Sequence, residues 1–83
     1  MRKAIVVPEL GAAAPQLSLW YARPGEQVYA GDRVVELLLG AATFDVAAPC
    51  SGRLVERSAW PADRVQAGQV LGYIEDDLAV RAD

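Results

Sequence analysis

The chain alternates short apolar runs with Pro, Gly and Asp breaks, and no window keeps a helical period between caps. Ala4-Ile5-Val6-Val7 predicts a first strand, stopped by Pro8, which cannot donate to a sheet ladder. Glu9 to Gln16, with Gly11, three alanines and Pro15, reads as a loop. Leu17-Ser18-Leu19-Trp20-Tyr21 begins in strict alternation and predicts a half-buried strand. Arg23-Pro24-Gly25-Glu26 and Ala30-Gly31-Asp32 are turn signals on either side of a short extended Val28-Tyr29. Val34 to Leu39 and Thr43 to Val46 then read as the arms of a β-hairpin with Gly40-Ala41-Ala42 at its tip. Arg53 to Arg57 and Val70 to Ile74 complete the strands, separated by turns at Trp60-Pro61-Ala62-Asp63 and Ala67-Gly68 with Val65 extended between them. Short strands at regular spacing with Gly/Pro turns predict an all-β sandwich or barrel.

A repeat sharpens that architecture. Displaced by 37 residues, PQLSLWYARPGEQVYAGDRVVEL lies over GRLVERSAWPADRVQAGQVLGYI, so that Leu17 meets Leu54, Pro24 meets Pro61 and Val28 meets Val65. Ala22 meets Ala59, and Ala30-Gly31 meets Ala67-Gly68. The matches fall on turn residues and core-type strand positions, where backbone geometry and burial dictate residue type. Two copies of one β-unit predict a sandwich with quasi-two-fold symmetry.

At 83 residues the chain is one domain, and 53% hydrophobic with 23% charged residues is an ordinary globular balance. No apolar run approaches the length of a membrane helix, and Ala4 to Val7 is too short for a secretory core, so the cytoplasm is the expected location. A net charge of −3 disfavours nucleic acid as a partner. Histidine is absent and Cys50 is the single cysteine, so Ser/His/Asp and Cys/His catalysis, an internal disulfide and a multi-cysteine zinc site are all excluded within the chain. These absences predict a protein that is not an enzyme.

Four stretches together resemble lipoyl domains of the biotinyl/lipoyl-attachment family, as found in 2-oxoacid dehydrogenase acyltransferases. They are Val7-Pro8-Glu9-Leu10-Gly11, Gly25-Glu26-Gln27-Val28 with Ala30-Gly31-Asp32, Ala42-Thr43-Phe44-Asp45-Val46-Ala47-Ala48-Pro49-Cys50-Ser51-Gly52, and Asp63-Arg64-Val65-Gln66-Ala67-Gly68-Gln69-Val70-Leu71. Each alone is weak; their order and spacing from Ile5 to Glu75 is the signal. The resemblance implies a flattened barrel or sandwich of two four-stranded antiparallel sheets. It also implies a lysine at the hairpin tip, amide-linked to lipoate or biotin, which swings between active sites of a multienzyme complex.

That lysine is missing. Anchored on Thr43-Phe44-Asp45-Val46, the family's Asp-Lys-Ala falls on Gly40-Ala41-Ala42, which puts Ala41 at the attachment position. A methyl group cannot form the amide, so no lipoate or biotin is expected there. Lys3 is the sole lysine, and the 37-residue displacement carries it onto Gly40 on the other half of the molecule. The resemblance therefore implies a domain at residues 1–77 that binds or scaffolds without chemistry, in a complex of the 2-oxoacid dehydrogenase type. Residues 78–83 are expected to be a tail or the start of a linker. Two alternatives stand beside it: a lipoyl-like adaptor of membrane-fusion transport proteins, and a carrier modified at Lys3 or Cys50. The adaptors are split by a helical hairpin at the tip, for which Leu39 to Thr43 leaves no room.

Strand geometry would turn at least one of Leu37, Leu38 and Leu39 to solvent, either as incidental exposure or as a contact patch for a protein partner or a second copy. Cys50 follows a proline with no cation pair evident to activate it and reads as a plain small residue. Trp20 and Trp60 flank turns and read as core or rim packing. Asp63 and Asp76-Asp77 lack metal-loop spacing and read as solvated charge.

Overall fold

The computed structural model describes residues 1–11 and 14–77. Among these residues seven strands follow one another: β1 (Arg2–Val6), β2 (Gln16–Trp20), β3 (Gln27–Val28), β4 (Arg33–Leu39), β5 (Ala42–Ala47), β6 (Gly52–Arg57) and β7 (Val70–Asp76). They form two antiparallel sheets, one in the order β1-β7-β6-β3 and one in the order β2-β4-β5. The expected all-β sandwich is present, with one difference: the second sheet has three strands. Its fourth is reduced to a single bridge between Gln16 and Arg64.

That bridge is what the repeat dictates. Gln27 pairs with Arg53, and a 37-residue displacement of both converts this pair into Arg64 and Gln16. The turns repeat as well. The Glu26 N–H donates to the Arg23 carbonyl at 3.0 Å, and the Asp63 N–H to the Trp60 carbonyl at 3.0 Å. A side-chain carboxylate closes each from the other side, Glu26 onto the Arg23 N–H and Asp63 onto the Trp60 N–H, both at 2.9 Å. The bulges repeat too: Ser18 is skipped in the β2/β4 register and Val55 in the β6/β7 register.

The repeat is not uniform along the chain. β4 and β7 are related by 37 residues, but Ile5 of β1 stands opposite Gly72 as Val46 of β5 stands opposite Val35. The symmetry mate of β1 is thus β5, and the displacement between those two strands is 41. Lys3, opposite Ile74, therefore corresponds to Phe44, opposite Leu37. The expected match of Lys3 to Gly40 is corrected: a displacement read from β2, β3 and the turns does not extend to β1.

The core obeys the same symmetry. Leu17 and Leu54, Leu37 and Ile74, Val34 and Leu71, and Val28 and Val65 are all buried pairs of mates. Each fully buried Leu or Ile removes enough apolar surface from water to contribute about 2–3 kcal/mol before entropy is counted. Val35 is the exception in kind, since its mate is Gly72. A side chain at Gly72 would run into the Glu56 carbonyl and the Trp20 ring, so the space that valine fills in one half is filled by tryptophan in the other. Trp20 lies half-buried there and donates its indole N–H to the Ala59 carbonyl at 2.9 Å. Trp60 is exposed, with the Arg57 guanidinium 5.5 Å from its ring and 5.9 Å from that of Trp20.

The predicted tail at 78–83 lies outside the described residues.

Candidate functional site

The β4/β5 hairpin closes at the Leu39–Ala42 pair, leaving Gly40 and Ala41 as a two-residue loop. Gly40 has φ +64° and Ala41 is not in the left-handed region, the pattern of a type II′ turn with glycine at its first central position. The turn matches the right-handed twist of the two strands and holds Ala41 at the apex, exposed to solvent. Gly40 and Ala41 carry no amine, thiol or hydroxyl, and the loop has no room for a helical hairpin. An amide-linked lipoate or biotin does not fit these residues.

The other two candidate nucleophiles lie at the far end of β5. Ser51 accepts a hydrogen bond from the Asp77 N–H at 3.0 Å, which fixes the base of β5 against the end of β7. With strands rising about 3.3 Å per residue, the length of β5 separates this base from the tip by roughly 20 Å. Lys3 lies within electrostatic reach of Cys50 at the base. The Cys50 thiol is pushed up from its ordinary value by burial first and then by Asp76 and Asp77, with Lys3 and the N-terminal ammonium opposing. A thiol so placed is mostly protonated at neutral pH, which agrees with its reading as a plain small residue. Lys3 is exposed within β1, bonded into a ladder with Ile74 and without a loop to present it.

Of the three hairpin leucines, Leu37 is fully buried, whereas Leu38 and Leu39 are half-buried and keep part of their surface open to solvent. The large apolar residue exposed near the tip is Phe44.

A polar cluster on the outer face of β4 and β5 had no signal in the sequence, since only the sheet register assembles it. Glu36 and Asp45 are direct cross-strand partners, and Tyr21 places its hydroxyl between them. The hydroxyl donates to Asp45 at 3.1 Å, with Glu36 at 3.4 Å, and Arg33 covers the Tyr21 ring at 4.8 Å while pairing with Asp45 at 3.5 Å. Two carboxylates that would repel are held together by one phenol and one guanidinium. No group of His, Cys, Asp or Glu side chains with metal-binding geometry occurs among the described residues.

The comparisons bear on this geometry. No family model matches the sequence. The dihydrolipoyllysine-residue succinyltransferase component of the 2-oxoglutarate dehydrogenase complex from Rickettsia conorii is 30% identical over 78 residues, 92% of this chain and 20% of that protein. The same component from Bartonella vinsonii subsp. berkhoffii is 32% identical over 81 residues, 95% of this chain and 20% of that protein. The lipoyl domain of the 2-oxoglutarate dehydrogenase complex from Azotobacter vinelandii superposes with a TM-score of 0.68, covering 88% of this chain and 98% of that domain at 22% identity. The chain is a lipoyl-type domain. It spans about a fifth of the length of the curated relatives it matches. A region of the urea carboxylase of Kluyveromyces lactis has the same fold, with a TM-score of 0.77 at 21% identity over 90% of this chain and 6% of that one. Among the described residues of this lipoyl-type domain, no helix is long and apolar enough to cross a membrane.

Proposed function

We propose that this lipoyl-type domain carries no lipoate or biotin, is not an enzyme, and serves as a cytoplasmic protein-binding or scaffold module of a 2-oxoacid dehydrogenase-type complex. The observation that carries the reading is the tip itself: an exposed type II′ turn whose second residue is Ala41, with the lone lysine at the opposite end of β5. The proposed partner class rests on the acyltransferase relatives, whose matched segment is a fifth of their length. A carrier role through Lys3 would need an amine in a strand to replace one on a turn. A role through Cys50 would need a thiolate where burial and Asp76 favour the thiol.

The test is intact mass after co-expression with a lipoate ligase and, separately, a biotin ligase. Wild-type protein should show no adduct, and Ala41→Lys should gain one at residue 41. An adduct on wild-type Lys3 would overturn the reading. An Ala41→Lys protein that folds and stays unmodified would remove the equivalence between Ala41 and the attachment position.

A further inference from the structure

We infer that β5 is a pairing edge, and that its occupant is β5 of a second copy of this chain, joined antiparallel into one continuous six-stranded sheet. β5 is the outer strand of the order β2-β4-β5. The Leu39–Ala42 pair closing a two-residue hairpin exchanges both of its hydrogen bonds, and alternation then turns the N–H and C=O of Thr43 and Asp45 away from β4. Among the described residues no other backbone group is bonded to them.

An open edge is normally guarded, and the symmetry of this fold supplies the comparison. β1 is the outer strand of the other sheet, and its mates of Thr43 and Phe44 are Arg2 and Lys3. Charged residues on an edge, lysine above all, block strand addition because pairing would bury or crowd them. The same two places on β5 hold a hydroxyl and an aromatic ring. Its one charge, Asp45, is already engaged on the outer face by Tyr21 and Arg33.

The edge is also complementary to itself. Antiparallel pairing about a two-fold axis through Phe44 sets Phe44 against Phe44 of the second copy as the close, non-hydrogen-bonded pair. Thr43 then exchanges both backbone bonds with Asp45 of the copy, which uses the outward groups just described. Ala42 faces Val46, and no charge faces its like. Aromatic and hydroxyl–carboxylate pairs are favoured cross-strand neighbours. Shifting the register by one residue would bring Thr43 against Phe44 and put the outward amides of one copy against the inward ones of the other, so the alternation selects a single register.

The test is sedimentation equilibrium from micromolar to millimolar protein, with hydrogen exchange of the Thr43 and Asp45 amides across the same range. Wild type should double in weight-average mass and gain protection at those two amides as concentration rises. A Thr43→Arg/Phe44→Lys protein, which copies the guard of β1, should stay at the monomer mass with unchanged β-sheet circular dichroism. The Lys3 position shows that the fold accepts lysine at the mate of Phe44. A wild type that remains monomeric throughout, a double variant that dimerises equally, or protection that rises on β1 in place of β5 would each overturn the proposal. Should the double variant not fold, the exchange data on wild type decide alone.

Discussion

Gly25 and Ala62 occupy the same position of the same turn in the two halves, with φ +90° and +79°. Each follows a proline and precedes the residue whose N–H closes the turn, the arrangement of a type II turn with its third residue left-handed. Glycine adopts that conformation without cost, whereas an L-residue with a Cβ loses about 1–2 kcal/mol there. Part of that returns as lower entropy in the unfolded chain, so Ala62→Gly should stabilise the domain by roughly 0.5–1 kcal/mol. Gly25→Ala should destabilise it by a similar amount. Urea unfolding midpoints check both; equal midpoints for wild type and Ala62→Gly would remove the strain argument.

Gly72→Ala should be a costly glycine substitution. Its Cβ would meet the Glu56 carbonyl, which is backbone and cannot swing aside, and the Trp20 ring at 3.1 Å. Overpacking of this kind costs about 1–3 kcal/mol. Displacement of the indole would also break its bond to the Ala59 carbonyl, so tryptophan emission should shift together with the unfolding midpoint. An unshifted midpoint would show that Trp20 is loosely held.

The phenol of Tyr21 sits above its ordinary value of 10.0, raised by partial burial first, then by the hydrogen bond to Asp45 and the charges of Asp45 and Glu36, against the opposing Arg33. An acid bound more tightly in the folded state contributes stability that is present below about pH 10 and is lost as pH rises through the folded value. Alkaline absorbance titration should therefore show a late-ionising tyrosine that disappears in Tyr21→Phe and titrates earlier in Asp45→Asn. Wild type and Tyr21→Phe should converge in stability above that range. Identical titration of wild type and Asp45→Asn would remove the hydrogen bond as a cause.

Cys50 should react slowly with iodoacetamide near pH 8, faster once urea unfolds the chain, since the thiolate is the nucleophile and the fold disfavours it. Lys3 opposes the shift, so Lys3→Gln should slow alkylation further. A folded Cys50 that alkylates as fast as the unfolded one would contradict the burial and charge assignments at the base of β5.

The fold was largely legible because turns and core positions constrain residue type directly. Pro24-Gly25 against Pro61-Ala62, and Leu17 against Leu54, announce the repeat without any tertiary information. The extent of the fourth strand in the second sheet was not legible: Arg64-Val65 has the residues of a strand, and pairing stops at one bridge. Lys3 was misplaced because β1 and β5 enter their halves four residues out of step with the rest. How the leucines at 37, 38 and 39 divide between core and surface was not legible, because alternation tells which residues share a face but not how far along a hairpin the opposing sheet extends. At the tip, Ala41 could be read from the linear pattern. The Tyr21–Glu36–Asp45–Arg33 cluster could not, because those side chains meet only once β2, β4 and β5 are in register.

The unequal displacements of 37 and 41 residues have a topological meaning. The mates of the hairpin's closing residues, Leu39 and Ala42, are Asp76 and Met1, and these two are already joined by a hydrogen bond from the Asp76 N–H to the Met1 carbonyl at 3.0 Å. The described chain is thus a ring of two half-loops, closed covalently at Gly40-Ala41 and non-covalently where Met1 meets Asp76 and Glu75. A circular permutant that joins Asp76 to Met1 through a Gly-Ala dipeptide and opens the chain between Gly40 and Ala41 would keep every ladder of the sandwich. It would exchange the roles of apex and terminus between the two halves.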